Sequence, residues 1–314
     1  MLEILEFDFM RRALIAATLV GITAPAIGTY LVQRRQAIMG DGIGHVAMTG
    51  VALGFLMNTS PVWMATLVAI LGAVGMEMVR SRGRTSGDVA LAMLFYGGMA
   101  GGVMIVNLSP GNSTASFNTY LFGSITTVAP EDVTAICVLA AFVVAITIGL
   151  RRQLFAVCQD EEFARVTGLP VRLLNLLIAV TAAVTVTVAM RIVGLLLVSA
   201  MMAIPVAAAQ RVTRGFVTTL ALAMTIGVTV SLTGTAATYY VDAPSGAAIV
   251  LLAVAVFLVL ALLAAPLARR RARRTAAAEA AEAGAQGSAG GPDGFDGLEC
   301  ELPPARRTEE NAKA

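Results

Sequence analysis

Apolar residues run through this chain in long blocks, not in the alternation of a strand or the one-sided stripe of a surface helix. The blocks are Phe9 to Val32, Ile38 to Met57, Val62 to Val79, Val89 to Leu108, Val133 to Leu150, Leu173 to Met190, Ile192 to Ala209, Phe216 to Tyr239 and Ala247 to Ala268. Each is close to the roughly 20 residues a helix needs to cross hydrocarbon. The pattern predicts an all-α polytopic membrane protein of nine transmembrane helices, with eight as the alternative. A tenth apolar piece, Thr119 to Val128, is too brief for a span and reads as re-entrant or interfacial.

Within the blocks, glycines recur four apart at Gly40 and Gly44, Gly50 and Gly54, Gly97 and Gly101, and Gly98 and Gly102. Such spacing lets helix backbones approach in lipid. For Gly40, Gly42 and Gly44 a second reading stands beside packing, because they interleave with Asp41 and leave backbone accessible there. Pro205 falls inside a block and is expected to kink its helix.

Composition agrees with the blocks. Of 314 residues 57% are hydrophobic and 13% charged, against about a quarter charged in a soluble domain. The arginines orient the spans, since cytoplasmic loops carry the basic excess. With the C-terminus cytoplasmic, sixteen arginines, among them Arg34, Arg35, Arg80, Arg151, Arg172, Arg214 and Arg274, lie inside, and only Arg11, Arg12 and Arg191 lie outside. That places the N-terminus outside, in the cell membrane. Residues 1–10 have an acidic amphipathic pattern, not the basic start of a secretory signal.

After Arg274 the composition turns to Ala, Glu, Gly and Pro. Residues 275–314 therefore read as a disordered cytoplasmic tail behind a membrane domain of residues 1–274. Cys137, Cys158 and Cys300 form no close-spaced set, which speaks against a disulfide framework or a thiolate zinc site.

The block from Ile38 to Met57 holds Asp41 and His45, and His45 is the one histidine in the chain. Ionisable residues in hydrocarbon are costly and mark function by default. The spacing i, i+4 sets both on one helix face, and one oxygen with one nitrogen donor suits a borderline divalent cation. The plain alternative is two polar residues hydrogen-bonded to neighbouring helices.

The longest cytoplasmic connection has its own helix signals. Asp160 is placed to cap, Glu161 and Glu162 suit a positive first turn, Gly168 suits a stop and Pro170 begins the next element. The energy source is missing from the chain. A phosphate-binding loop of the form Gly-x-x-x-x-Gly-Lys-Ser/Thr needs a lysine, and the one lysine is Lys313, in the tail. The blocks show no internal repeat of the kind secondary transporters carry and no nucleophile paired with a base, so a proton-coupled carrier and an intramembrane enzyme are the weaker readings.

Five segments together carry a resemblance. Arg34 through Gly54 resembles the second-helix signature of the ABC-type zinc and manganese uptake permeases, and Asp160 through Gly168 resembles that family's coupling segment. Tyr120 to Ser124, Val193 to Ala200 with Ile204-Pro205, and Pro244 to Ala247 also match. The likeness covers residues 7–270 and is strongest to the zinc-uptake branch. It implies a large-importer (type II) ABC permease architecture that works as a homodimer. A dimer of separate ATPase subunits and an extracytoplasmic metal-binding protein would be its partners, with no nucleic acid.

The resemblance further implies a metal path through Asp41 and His45, with Zn2+ as cargo and Mn2+ or Fe2+ as alternatives. No cofactor is implied for the chain itself. Coupling would fall to Glu161, Glu162, Phe163, Ala164 and Gly168. One departure is Gly44, where many of that family carry Ser or Ala before the histidine.

Overall fold

The structure is a computed structural model that describes residues 8–81, 87–108, 119–123, 130–240 and 244–264, all within one compact unit. The tail at 275–314, the basic cluster at 269–274, the N-terminal lead-in before residue 8 and most of the 119–128 piece lie outside the described residues. Apolar blocks must satisfy their backbone internally, and every one of them has become helix. In chain order these are α1 (Asp8–Gln33), α2 (Met39–Leu56), α3 (Pro61–Ser81), α4 (Gly87–Leu108), α5 (Pro130–Gly149), α6 (Arg151–Gln159), α7 (Glu161–Val166), α8 (Val171–Ala189), α9 (Leu195–Val212), α10 (Phe216–Ala237) and α11 (Ser245–Ala264). No strand occurs among the described residues.

The expected count of eight to nine spans holds approximately. Six helices, α1, α3, α4, α8, α10 and α11, are long and apolar enough to cross a membrane, or seven if α5 and α6, bent by 68° at their junction, are taken as one. The two remaining blocks form the shorter helices α2 and α9, of 18 residues each. Helix α2 is diluted by Asp41, His45 and the glycines at 40, 42, 44, 50 and 54. Helix α9 begins at Leu195, after a turn at residues 190–194, and stays apolar until Gln210 and Arg211.

Helices α1 and α8 form the interior. Ala13, Ala16, Ala17, Val20 and Ala24 of α1 are fully buried, and the small residues let neighbouring helices come close. Helix α2 packs on α3, α4, α8 and α9. Helices α4 and α11 turn Met93, Tyr96, Met104, Leu251 and Leu262 outward, an apolar exterior that needs lipid or protein against it.

The turn before α9 shows how irregular backbone is accommodated. Gly123 and Gly194 both take positive φ, 74° and 82°, with their backbones pressed together. Any side chain there would meet main-chain atoms, so glycine is required at both. Ser245 donates a 2.8 Å hydrogen bond to the Ile192 carbonyl, and the Arg191 guanidinium lies 4.8 Å over the Tyr120 ring. The reading of 119–128 as a short piece held by protein agrees with this junction as far as residue 123. Helix α9 runs on through Pro205.

Candidate metal path and coupling segment

Helix α2 opens at Ile38 without a side-chain cap, so Asp41 in its first turn is the carboxylate nearest its positive end. His45 follows one turn later, about 6 Å further along the axis by the helical rise. Its Nδ1 lies 2.9 Å from the Asp41 carbonyl oxygen. A carbonyl only accepts, so this bond places the proton on Nδ1 and leaves Nε2 as the lone-pair nitrogen. A backbone carbonyl holding one ring nitrogen is the usual way a ligand imidazole is oriented.

His45 is 8% exposed, while Asp41 is half-buried. Phe95 of α4 packs against the imidazole with ring centroids 4.1 Å apart. Ser199, from the second turn of α9, donates a 2.9 Å hydrogen bond to Asp41 Oδ1. The expected face is therefore real, and it has acquired a hydroxyl and an aromatic wall from two other helices.

Depth follows from what α2 touches. A Cβ on Gly98, midway along α4, would lie 2.6 Å from the Val46 nitrogen and 2.9 Å from the His45 carbonyl oxygen. Thr49 donates a 2.7 Å bond to the Gly98 carbonyl, and a Cβ on Gly72, midway along α3, would meet the Val46 side chain. The imidazole thus sits level with the middles of two full-length helices, although it lies only in the second turn of its own. Gly40, Gly42 and Gly44 face Met202, Leu91 and Leu195 respectively, which favours close packing over exposed backbone at these three. Gly97 has nothing within 4 Å of its Cβ position and is no packing glycine.

No group of three or more His, Cys, Asp or Glu side chains converges among the described residues. The candidate donors in one chain are therefore Asp41 and His45, with Ser199 beside Asp41, a set more open than a closed four-ligand cage.

The segment 160–168 folds as its residues dictate. Asp160 Oδ1 accepts from the Glu162 and Phe163 amides, both at 3.0 Å, capping α7. Gly168 ends it at φ 82°, and the Leu169 amide returns to the Ala164 carbonyl at 3.1 Å. The five residues expected to act together do not share one face. Glu162, Phe163 and Gly168 are exposed, with Phe163 65% and the neighbouring Val166 86% open, while Ala164 is fully buried.

Glu161, half-buried, reaches toward α8 and the end of α1. Its Oε1 accepts a short hydrogen bond from the Asn175 amide of α8, and its Oε2 lies 3.8 Å from the Arg34 guanidinium. Arg34 in turn donates to Asn175 Oδ1 at 2.9 Å. The Arg34 side chain is only 8% exposed, and burial, aided by Arg80, draws its pKa below the usual value.

Reasoning from sequence did not find Phe95 or Asn175, and it included Ser199 and Val166 in matched segments without singling them out. Asn175 did carry a signal, as a lone amide in the apolar run Leu173 to Leu177. Val166 could have been found as the apolar i+3 neighbour of Phe163.

The chain is thus a multi-helix membrane protein with a buried histidine one turn from a half-buried aspartate and a capped short helix between two longer ones. The profile of the ABC 3 transport family matches residues 6–264, and the chain belongs to that family. It is 32% identical over 260 residues to a probable metal transport system membrane protein of Treponema pallidum, covering 82% of this chain and 97% of that one. It is 30% identical over 255 residues to the manganese transport system membrane protein MntC of Halalkalibacterium halodurans, covering 81% and 87%. Among solved structures it is similar to PsaBC from Streptococcus pneumoniae in complex with Fab, with a TM-score of 0.75, 28% identity, and coverage of 82% of this chain and 93% of that one. The likeness to the zinc branch finds no specific support in these names.

Proposed function

We propose that this chain is the membrane-spanning permease of an ATP-driven importer that passes a divalent transition-metal ion through Asp41 and His45. The single observation behind this reading is the buried imidazole. It lies level with the middles of α3 and α4, is fixed by the Asp41 carbonyl, and keeps Nε2 available one helical turn from a carboxylate that Ser199 holds. The ion is cargo, and a weak station lets it leave again. Two chains in a homodimer would double the donors.

A separate ATPase dimer supplies hydrolysis and docks on the exposed Phe163 and Val166 of α7. An extracytoplasmic metal-binding protein delivers the ion, and the C-terminus lies in the cytoplasm. Ligand chemistry accommodates Zn2+, Mn2+ and Fe2+ alike. The kinship to a manganese transport protein supports Mn2+ as strongly as the motif likeness supports Zn2+.

The test is uptake of radiolabelled zinc and of radiolabelled manganese, separately, in cells that lack the chromosomal copy and carry wild type, Asp41→Ala or His45→Ala. Either substitution is expected to abolish uptake at limiting metal with unchanged protein in the membrane, since losing a buried polar group does not hinder insertion. Normal uptake by His45→Ala would overturn the proposed path.

A further inference from the structure

Three side chains from three different parts of the chain meet at the coupling end of the bundle. Arg34 follows α1, Asn175 lies in the second turn of α8 and Glu161 is the first residue of α7. Arg34 donates to Asn175 Oδ1 at 2.9 Å, Asn175 donates to Glu161, and Arg34 closes the ring on Glu161 at 3.8 Å. Beside the ring, Gln33 donates to Gln159 at 2.7 Å, tying the end of α1 to the residue before the Asp160 cap.

Arg34 also opens the five-residue connector 34–38 that leads into α2. Its neighbour Arg35 takes φ 58°, a left-handed conformation that costs a side-chain-bearing residue energy and is held only where the surroundings demand it. On its other side the connector borders a cavity of about 110 Å³ lined by Arg35, Gln36, Met39, Glu77, Arg80 and Leu91. Leu91 is also the residue against Gly42, between Asp41 and Ile43. The connector is therefore gripped on the α7 side and has room on the other.

We infer that Arg34 and Asn175 are positioning residues that carry displacement of α7 through Glu161 to the connector and so to the Asp41–His45 turn of α2. The inference rests on the permease reading above. Glu161 then serves transmission while Phe163 and Val166 serve docking, so the two tasks lie on opposite faces of a six-residue helix. A salt bridge with a bidentate amide suits this role because charge-assisted bonds hold direction as well as distance.

The test uses the permease reconstituted in lipid vesicles with its ATPase subunits and its metal-binding protein loaded with manganese or zinc. Wild type must first show ATP-dependent accumulation. Its absence would refute the permease reading itself and is read before any variant. In Arg34→Gln and in Asn175→Leu the ATPase should co-purify in wild-type amount and hydrolyse ATP, but metal taken up per ATP should fall at least tenfold.

Arg34→Lys, which keeps the charge, should recover part of the yield. An unchanged yield in both first variants overturns the inference. So does failure of the ATPase to co-purify, or loss of both variants from the membrane, since the ring would then serve assembly or folding and not transmission.

Discussion

Ser199 reaches across 158 positions of sequence to donate a 2.9 Å hydrogen bond to the Asp41 carboxylate. The contact gives α9 a direct hold on the carboxylate of the proposed metal path. Removing the hydroxyl frees Asp41 to rotate away from the His45 face. Hydrogen bonds to charged groups contribute about 1.5 kcal/mol or more. Ser199→Ala should therefore weaken metal handling by roughly tenfold, seen as a raised KM for uptake with unchanged membrane level. Wild-type KM in Ser199→Ala would show the bond to be incidental.

Two adjacent glycines of α4 should respond oppositely. A Cβ at Gly98 would press on the Val46 nitrogen at 2.6 Å, whereas Gly97 has open space. Gly98→Ala should force α2 and α4 apart at a cost of about 1–3 kcal/mol and lower the thermal midpoint of the detergent-purified protein. Gly97→Ala should leave it unchanged or slightly higher, since alanine is the better helix former. Equal melting of the two variants would contradict the packing described for α4.

The thiol of Cys158 is buried, and that burial pushes its pKa up to about 11 while the nearby Arg34 opposes the shift. The sign is that of a group held neutral, so thiolate appears only as pH rises toward 11. Maleimide at neutral pH should leave Cys158 unmodified in native protein and modify it in denaturant. Mass spectrometry of digested protein separates the two outcomes. Rapid native labelling would place this cysteine in water.

Ending the chain after Arg274 removes no apolar block and keeps the basic cluster at 269–274. Uptake should persist at the wild-type rate per permease, measured with the same labelled metals. A complete loss at normal protein level would assign the tail a role in transport.

The helices were legible in the sequence because lipid permits little else. All nine blocks appear, with described ends shifted by three residues or fewer. Local chemistry was legible too, since the Asp160 cap and the Gly168 stop each depend on atoms within a few positions. Span count was harder, because Gly40, Asp41, Gly42, Gly44 and His45 dilute α2 while its neighbours still enclose it. What the pattern could not supply was partnership across helices. Periodicity says which face of α2 carries His45 but not that Phe95 and Ser199 lie opposite it. It likewise marks Glu161 as a first-turn acid without revealing Arg34 and Asn175 behind it.

Asp41 and His45 share one turn of one helix, bonded to each other through main chain, and that helix begins at the connector beside α7. Under the metal path and the transmission proposed above, an ion's grip and the part that moves would be the same rigid piece. Repacking that turn to change metal preference would then also change how the transporter opens. Phe95 of α4 and Ser199 of α9, which touch the pair from outside, are the positions from which preference could be retuned with α2 left intact.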